Sequence, residues 1–214
     1  MEKLVIVGGG GFAREILTLV KRINEITSTY DVVGFVDNRP KGTLIDGFPV
    51  IGTDTEINQA NMRLSMALAV GEPQMKKKIR SKYTSPLISF PTLIHPSVII
   101  GNAETVKMGE GCIICAGSIL TTNVKLGSFV TLNLMCTVGH DTTIGDYSSF
   151  MPSCNVSGEV EVEGEVYCGT GAKIINQVSI GHNSIIGAGA VVSRSIPSNC
   201  TAVGIPAKPI KFHD

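Results

Sequence analysis

The chain of 214 residues is poor in aromatic and charged side chains. It has no tryptophan, aromatic residues make up 5% of it and charged residues 17%, whereas about a quarter of the residues of an ordinary globular domain are charged. The formal net charge is zero and the sequence contains no long basic block. Its electrostatics therefore give no support for a protein that binds nucleic acid or an anionic membrane surface.

Long apolar runs are also missing. No stretch approaches the roughly 18 uninterrupted apolar residues of a membrane-spanning helix. The short apolar run at the N-terminus leads into Gly8–Gly11 rather than into a small-residue cleavage site, which argues against a signal peptide. We therefore expect a cytoplasmic protein whose six cysteines are reduced.

A six-residue repeat runs from Met108 to Pro197. Written in sixes from Met108, the first column is apolar throughout, and the fifth column, from Cys112 to Ile196, is mostly small or β-branched. The first column reads Met108, Ile114, Leu120, Leu126, Leu132, Val138, Ile144, Phe150, Val156, Val162, Cys168, Ile174, Ile180, Ile186 and Val192. The second column often holds glycine, which we interpret as a turn residue. This pattern is a hexapeptide repeat and predicts a parallel β-helix.

A β-helix explains the composition, because its narrow aliphatic interior leaves little room for aromatic rings. Three hexads form one triangular coil, so the repeat predicts about five coils stacked at about 4.8 Å. The inward columns contain Cys112, Cys136, Cys154 and Cys168, which we interpret as small hydrophobic residues. Cys112 and Cys115 also form a C-x-x-C pair, but the repeat places only Cys112 inside, so a zinc or redox role has little support.

Two further features belong to the ends of the β-helix. Val106 and Lys107 add two residues to the first coil before the frame resets at Met108, which predicts a bulged corner. The tail from Asn199 to Pro209 lacks the repeat, and we expect it to run irregularly and cover the last unpaired edge.

The first 90 residues predict a Rossmann-like domain. An apolar strand over residues 3–7 leads into a glycine loop of the form G-x-G-x-x-A, followed by a helical pattern over residues 14–26 and a second strand that ends at Asp37. This order is typical of nucleotide-binding βαβ units, in which glycines let backbone N–H groups approach a phosphate at a helix N-terminus. The alternative is a tight βα turn without a ligand.

Shorter elements complete that domain. The pattern predicts an edge segment over residues 49–52, a helix capped by Thr53 or Asp54, a strand over 65–70, a helix over 74–83 and a last strand over 87–90. The predicted helix contains Lys76, Lys77 and Lys78, which we interpret as a solvated face. The boundaries are residues 1–90 for the Rossmann-like domain and 91–214 for the β-helix with its C-terminal cap.

The β-helix carries one outward pair suited to catalysis. His140 and Asp141 are the third and fourth residues of their hexad, at a corner. A neutral imidazole there can accept a proton from an attacking amine or hydroxyl, and the carboxylate can hold its tautomer. The alternative is an exposed histidine at a turn. His182 has the same hexad position seven hexads later and therefore falls on a different corner, so the spacing offers no pair of metal ligands and we expect no metal.

Nearly the full length resembles the sugar O/N-acyltransferase family of NeuD and PglD. The matching stretches are Val5–Gly8 with its glycine loop, Gly34–Asn38, Ala69–Gly71, Leu132–Asn133, Val138–Asp141, Ile144–Asp146, Gly187–Ala190 and Gly204–Lys208. The resemblance implies an N-terminal α/β Rossmann-like domain, an all-β left-handed parallel β-helix and a homotrimer. It also implies acetyl-CoA as the acyl donor, bound in the grooves between neighbouring subunits.

The resemblance assigns roles to individual residues. His140 would be the general base, with Asp141 in the position of the adjacent acid. The substrate would contact Gly10, Gly11, Phe12, Asp37, Asn38, Gly71 and Asn133, and the coenzyme would contact Ser149, Thr170 and Ala188. At two positions the chain departs from the family pattern. Phe12 stands where relatives often carry histidine, and Ser149 stands where a well-matched N-acetyltransferase of the family carries a second histidine near the coenzyme.

Three functions remain open on the sequence. The first is N-acetylation of a UDP- or dTDP-linked 4-amino-4,6-dideoxy sugar, by direct transfer from acetyl-CoA with His140 as the base. The second is O-acetylation of sialic acid or another sugar hydroxyl. The third is a non-catalytic trimer that binds a nucleotide.

Overall fold

The computed structural model describes residues 1–213, of which the first part forms an α/β domain. Its elements are β1 (Glu2–Val7), α1 (Gly11–Thr27), β2 (Tyr30–Val36), β3 (Leu44–Ile45), β4 (Phe48–Gly52), α2 (Asp54–Asn58), β5 (Leu64–Leu68), α3 (Pro73–Arg80) and β6 (Ile88–Ser89). The strand order is β3-β4-β2-β1-β5-β6. All pairs are parallel except β3 with β4. Residues 49–52, which the sequence predicts as an edge segment, therefore belong to an inner strand. The edge is formed by β3, which the sequence did not predict and which pairs with β4.

Helices cover both faces of this sheet because β1 is apolar on both of its faces. Leu4 and Ile6 pack against the apolar side of α1, whereas Val5 and Val7 belong to the cluster that includes Ile57 of α2. Helix α2 begins at a capping box in which Thr53 and Glu56 satisfy each other's backbone N–H groups. The predicted Rossmann-like fold is confirmed.

The second part is a left-handed parallel β-helix with three faces. Face 1 contains β7 (Leu93–Ile94), β10 (Ile113–Ile114), β13 (Thr131–Leu132), β16 (Ser149–Phe150), β19 (Tyr167–Cys168), β22 (Ile185–Ile186), β24 (Cys200–Gly204) and β25 (Ala207–Phe212). Face 2 contains β8 (Ile99–Ile100), β11 (Ile119–Leu120), β14 (Thr137–Val138), β17 (Asn155–Val156), β20 (Lys173–Ile174) and β23 (Val191–Val192). Face 3 contains β9 (Lys107–Met108), β12 (Lys125–Leu126), β15 (Thr143–Ile144), β18 (Glu161–Val162) and β21 (Ser179–Ile180).

The strand register confirms the phase of the repeat. Ile113 pairs with Thr131, 18 residues later, so one coil is three hexads. In the first coil the offset is 20, since Ile99 pairs with Ile119, and the two extra residues lie in the corner before β9 as predicted. The four cysteines of the inward columns are buried, and all six cysteines are free thiols.

The second-column glycines do not have the left-handed turn conformation expected from their interpretation as turn residues. The turn residues with left-handed backbone are those of the fourth column, at every sixth position from Gly111 (φ 67°) to Gly189 (φ 66°). In the second column, a Cβ at Gly139 or Gly145 would lie 2.6 Å from a backbone nitrogen of the next coil. Those positions need glycine because the stacked coils approach too closely for a side chain.

The C-terminal tail is also more regular than predicted. Strand β24 pairs in parallel with β22 and thereby takes the place of one more strand on face 1. Strand β25 then folds back antiparallel to β24. The tail does cover the edge of the last coil, but as a β-hairpin, because its backbone continues the hydrogen bonding of face 1.

The α/β domain lies on face 1. Leu93 and Ile113 of that face belong to the same apolar cluster as α1, and Phe129, at the corner of faces 3 and 1, packs with Phe90. The corner between faces 2 and 3 is therefore the vertex opposite the α/β domain. No helix among residues 1–213 combines the length and apolar character needed to cross a bilayer.

The inward first column is expected to dominate the stability of the β-helix. Ile174 is 1% exposed and its neighbour Ile175 is 39% exposed. We expect Ile174→Ala to lower the free energy of unfolding by about 2–5 kcal/mol, because it removes buried methyl groups and leaves a cavity. Ile175→Ala is the matched control and should cost less than about 1 kcal/mol, and urea unfolding of both variants measures the difference. Equal losses would contradict the assigned inward and outward columns.

Candidate active site

His140 and Asp141 lie at the corner between faces 2 and 3. Strand β14 ends at Val138, Gly139 follows, and Asp141 occupies the left-handed turn position with φ 57°. This conformation is more accessible to Asp and Asn than to most residues. Nδ1 of His140 lies 2.8 Å from Oδ2 of Asp141, and the side chains are 55% and 50% exposed. The repeat therefore presents the pair to solvent, as predicted.

The carboxylate of Asp141 is held from its other side as well. Nδ2 of Asn123, one coil earlier, donates a hydrogen bond of 2.9 Å to Oδ1 of Asp141. The pKa of Asp141 is lowered, first by this bond and then by the bond from His140. An ionised Asp141 accepts the Nδ1 proton of a neutral His140, which leaves Nε2 with a free lone pair. Among the described residues, Nε2 has no hydrogen-bond partner.

Two of the three residues assigned to the coenzyme lie on another corner, between faces 1 and 2. Thr170 and Ala188 are exposed third-column residues one coil apart on that corner. Asn133 begins the same corner two coils earlier and is 6% exposed, with its Oδ1 accepting a hydrogen bond from the N–H of Leu134. A full face separates this group from His140 within one chain.

Ser149 does not fit a direct coenzyme contact. The residue is 0% exposed, and its hydroxyl accepts a hydrogen bond of 2.9 Å from Nζ of Lys76. Because α3 covers this part of face 1, the assignment of Ser149 is corrected from a ligand contact to a contact between the two parts of the chain.

Lys76 is buried, contrary to the solvated face that the sequence predicts. It is 1% exposed, and its ammonium also donates to the carbonyl of Phe129 at 2.8 Å and to the hydroxyl of Thr131 at 2.9 Å. Burial lowers its pKa to about 7, while Cys112 and Glu72 act in the opposite direction. Of the three lysines predicted to form a solvated face, Lys77 and Lys78 are exposed and Lys76 is not. No local pattern marks this difference, because the α/β domain meets face 1 only in the tertiary structure.

The glycine loop leaves a helix N-terminus open. Gly10 is the N-cap of α1 and has no side chain that could cap the N–H groups of the first turn, and Gly11 is the first helical residue. A Cβ at either position would meet no atom of the described residues within 4 Å, and both glycines are exposed. The helix therefore begins three residues before the predicted start, and free N–H groups of its first turn can bind an anion. Phe12 is half-buried against the core of the domain.

Arg39, which no sequence pattern indicated, links Asp37 to the glycine loop by an ion pair and a hydrogen bond. Oδ1 of Asp37 lies 3.3 Å from Nε of Arg39, and Nη2 of Arg39 donates to the carbonyl of Gly9 at 2.8 Å. A side chain at Gly9 would strike Oδ2 of Asp37 at 2.6 Å. Asp37 therefore supports the loop in addition to any ligand contact.

The predicted nucleotide contacts fall in two cavities. Asp37 and Asn38 line one of about 260 Å³, with Lys82 also on its wall. Gly71 lines a separate one of about 590 Å³, between the start of α3 and face 1, where Tyr167 forms part of the floor. The structure therefore brings Asp37 close to the glycine loop but places Gly71 in a different depression.

The other histidines do not join the candidate site. His182 lies at the corner between faces 3 and 1, with Nε2 3.7 Å from Oε1 of Glu165, so the repeat correctly separated it from His140. Among residues 1–213, no three His, Cys, Asp or Glu side chains converge as metal ligands.

Comparison with known proteins identifies the family. The PglD N-terminal domain family matches residues 3–83. GDP-perosamine N-acetyltransferase of Escherichia coli O157:H7 is 30% identical over 214 residues, covering 96% of this chain and 95% of the relative. The chain belongs to the NeuD/PglD-like family of sugar acetyltransferases.

Solved structures of NeuD/PglD-like acetyltransferases have the same architecture. PerB from Caulobacter crescentus, in complex with CoA and GDP-perosamine, is 28% identical with a TM-score of 0.86, covering 99% of this chain and 98% of PerB. The acetyltransferase domain of PglB from Neisseria gonorrhoeae, in complex with acetyl coenzyme A, is 30% identical with a TM-score of 0.88. That match covers 98% of this chain and 99% of the PglB domain. The predicted family and fold are confirmed.

Proposed function

We propose that this chain is an acetyl-CoA-dependent N-acetyltransferase that acts on the amino group of a nucleotide-linked 4-amino-4,6-dideoxy sugar. The observation that carries the proposal is the exposed His140, whose Nδ1 is hydrogen-bonded to Asp141 and whose Nε2 has no hydrogen-bond partner among residues 1–213. The relative from Escherichia coli O157:H7, which matches over nearly its full length, is a GDP-perosamine N-acetyltransferase, and this similarity favours transfer to nitrogen. Guanosine diphosphate is therefore a candidate nucleotide of the substrate, besides the uridine and thymidine diphosphates expected from the sequence.

The reaction needs one proton acceptor and no covalent enzyme intermediate. The neutral amine of the sugar attacks the thioester carbonyl of acetyl-CoA, and Nε2 of His140 takes the proton that this nitrogen loses. The new C–N bond forms, the C–S bond breaks, and the proton passes from His140 to the departing CoA thiolate. A positioned general base of this kind contributes about 10²–10⁴-fold to the rate, and backbone N–H groups at the site would stabilise the oxyanion.

The site needs more than one copy of the chain. His140 lies at the vertex opposite the face that carries the glycine loop and Asp37. Thr170, Ala188 and Asn133 lie at a third location, the corner of faces 1 and 2. We infer a homotrimer in which the His140 corner of one copy meets the corner of faces 1 and 2 of the next, since closed cyclic symmetry repeats such a contact three times. Acetyl-CoA would lie in the groove between them.

The nucleotide would bind at the α/β domain. Gly10 and Gly11 offer free backbone N–H groups for a diphosphate, and Asp37 and Asn38 offer hydrogen-bond acceptors for the sugar or the base. Gly71 and its cavity would contact the remainder of the substrate. Phe12 is half-buried, so only the exposed part of its side chain would be available to the substrate.

A panel of acceptors tests the proposed reaction. CoA release from acetyl-CoA is measured with GDP-, UDP- and dTDP-linked 4-amino-4,6-dideoxy sugars, with their 4-hydroxy counterparts and with sialic acid. We expect turnover with at least one amino-sugar nucleotide, and mass spectrometry of the product should place the acetyl group on nitrogen. Turnover only with sialic acid or a hydroxy sugar would show an O-acetyltransferase. The absence of turnover with every acceptor would favour a non-catalytic nucleotide-binding trimer.

Subunit mixing tests whether the site is shared. Gly11→Glu places a carboxylate where the diphosphate is expected, in space that is otherwise open. We expect this variant and His140→Ala each to lose at least 90% of the activity. Trimers refolded from an equal mixture should regain activity, because some sites then combine an intact α/β domain with an intact His140 from another copy. If each site lay within one chain, every site would keep one defect and mixing would restore nothing.

A further inference from the structure

The His140–Asp141 pair is contacted by residues of the coils before and after it. Asn123 has the same hexad position as Asp141 one coil earlier, and Gly158 has the same position as His140 one coil later. Neither residue belongs to the stretches by which the chain resembles its family. Asn123 contacts Asp141 and Gly158 lies against the ring of His140, through the stacking of coils.

Asn123 fixes the carboxylate that orients the ring. Its amide nitrogen is 2.9 Å from Oδ1 of Asp141, while Oδ2 faces Nδ1 of His140 at 2.8 Å. The two carboxylate oxygens therefore have different partners, and a partial rotation about the Cβ–Cγ bond of Asp141 would weaken both hydrogen bonds. Asn123 itself has φ 54°, so a glycine can replace it without backbone strain.

Gly158 supplies the surface on which the ring lies. A Cβ at this position would be 2.5 Å from Nε2 of His140, 2.6 Å from Cε1 and 2.8 Å from Cδ2. All three atoms belong to the end of a rotatable side chain, so the ring rather than the backbone would have to move. The backbone of Gly158 is not in the left-handed region, so its requirement for glycine comes from the ring and not from a turn.

We propose that Asn123 and Gly158 are positioning residues that hold Nε2 of His140 in the orientation needed to accept the proton of the substrate amine. This inference rests on the proposed function of His140 as the general base. Asn123 acts through Asp141 and sets the tautomer and the tilt of the ring. Gly158 acts by the absence of a side chain and sets the height of the ring above the next coil.

Gly158→Ala tests whether the His140 ring needs the space that Gly158 leaves. We expect kcat to fall by about 10- to 100-fold, because a displacement of about 1 Å in a reacting group has effects of this size. The KM values for both substrates and the thermal unfolding midpoint should stay within error of the wild-type values. Gly164→Ala is the matched control, since this third-column glycine would place its Cβ no closer than 3.3 Å to any neighbour, and its kcat should not change. A wild-type kcat in Gly158→Ala would overturn the role of Gly158.

Asn123→Gly tests the proposed role of the hydrogen bond from Asn123 to Asp141. We expect roughly tenfold lower kcat with little change in KM, since the ring stays in place but is oriented less well. The control is Gln177→Gly, which removes a similar hydrogen bond between an amide and a carboxylate. Nε2 of Gln177 donates to Oε2 of Glu159 at 3.1 Å, and Gln177 has nearly the same backbone conformation as Asn123, with φ 60°. Equal kcat values in the two variants would overturn the role of Asn123.

An NMR readout separates this inference from the proposed function. Nitrogen spectra of the imidazole should show the Nδ1–H tautomer of His140 in the wild-type protein and in Gln177→Gly, and a larger Nε2–H fraction in Asn123→Gly. If His140→Ala kept full activity, the general-base proposal would fail even though the spectra showed the expected tautomer. An unchanged tautomer in Asn123→Gly would instead overturn the positioning role, whatever the activity of His140→Ala.

Discussion

Replacing His140 with alanine is expected to lower kcat by about 10²–10⁴-fold while leaving the binding of both substrates nearly unchanged. The physical reason is that Nε2 is the proton acceptor in the transition state but adds little to binding in the ground state. The measurement is CoA release at saturating acetyl-CoA and acceptor, together with calorimetric titration of each substrate. The side chain is 55% exposed, so the fold should not depend on it.

The matched control for this variant is His182→Ala. His182 has the same hexad position, is 46% exposed and lies beside Glu165, but it sits on a different corner. Its replacement should change kcat by less than about twofold. Similar losses in the two variants would point to a general effect of altered corners, and an unchanged kcat in His140→Ala would falsify the general-base assignment.

Replacing Lys76 with methionine is expected to change how stability depends on pH. Burial lowers the pKa of Lys76 from 10.5 to about 7 in the folded protein. Between these two values the unfolded chain binds a proton that the folded chain does not, so the folded state gains stability as pH rises. Relative to Lys76→Met, the free energy of unfolding of the wild-type protein should increase by about 1.4 kcal/mol per pH unit from pH 7 to pH 9.

The comparison of the two proteins isolates Lys76 from other groups. The cysteine thiols with raised pKa, such as Cys115 and Cys168, also affect stability above neutral pH, but they are present in both proteins and cancel in the difference. Urea unfolding at pH 7, 8 and 9 and at one fixed protein concentration gives the slopes. Lys78→Met, an exposed lysine on the same helix, should follow the wild type. Parallel slopes for wild type and Lys76→Met would show that the three oxygens around Nζ keep the ammonium charged.

The accuracy of the sequence predictions differs between local and long-range features. The β-helix was predictable in detail, down to the two extra residues before β9, because each hexad repeats the same information about which side chain points inward. The βα unit was also predictable, because β1, the glycine loop and α1 are adjacent in sequence. Residues 44–52 and the tail were predicted less well, since the pairing of β3 with β4 and of β24 with β22 depends on strand partners that local patterns do not name.

The candidate site shows the same division. The sequence singled out His140 and Asp141, because a polar pair facing outward is not needed by the repeat. It could not distinguish Lys76 from Lys78, because burial of Lys76 requires α3 to dock on face 1. Nor could it show that Ser149 is buried, because that burial depends on the same docking. Arg39 was missed because its partner, the carbonyl of Gly9, lies 30 residues away.

By itself, the sequence determined the β-helix, the Rossmann-like domain and the outward position of His140. These properties follow from periods of six and from short-range order, which are fixed by the covalent spacing of side chains along the chain. Only the tertiary structure decided that Asn123 holds Asp141 and that Gly158 lies against the ring of His140. It also decided that Lys76 is buried and that the glycine loop and His140 lie on opposite sides of the β-helix. Those properties depend on which surfaces meet, and surfaces meet through the stacking of coils 18 residues apart and the docking of one domain on another.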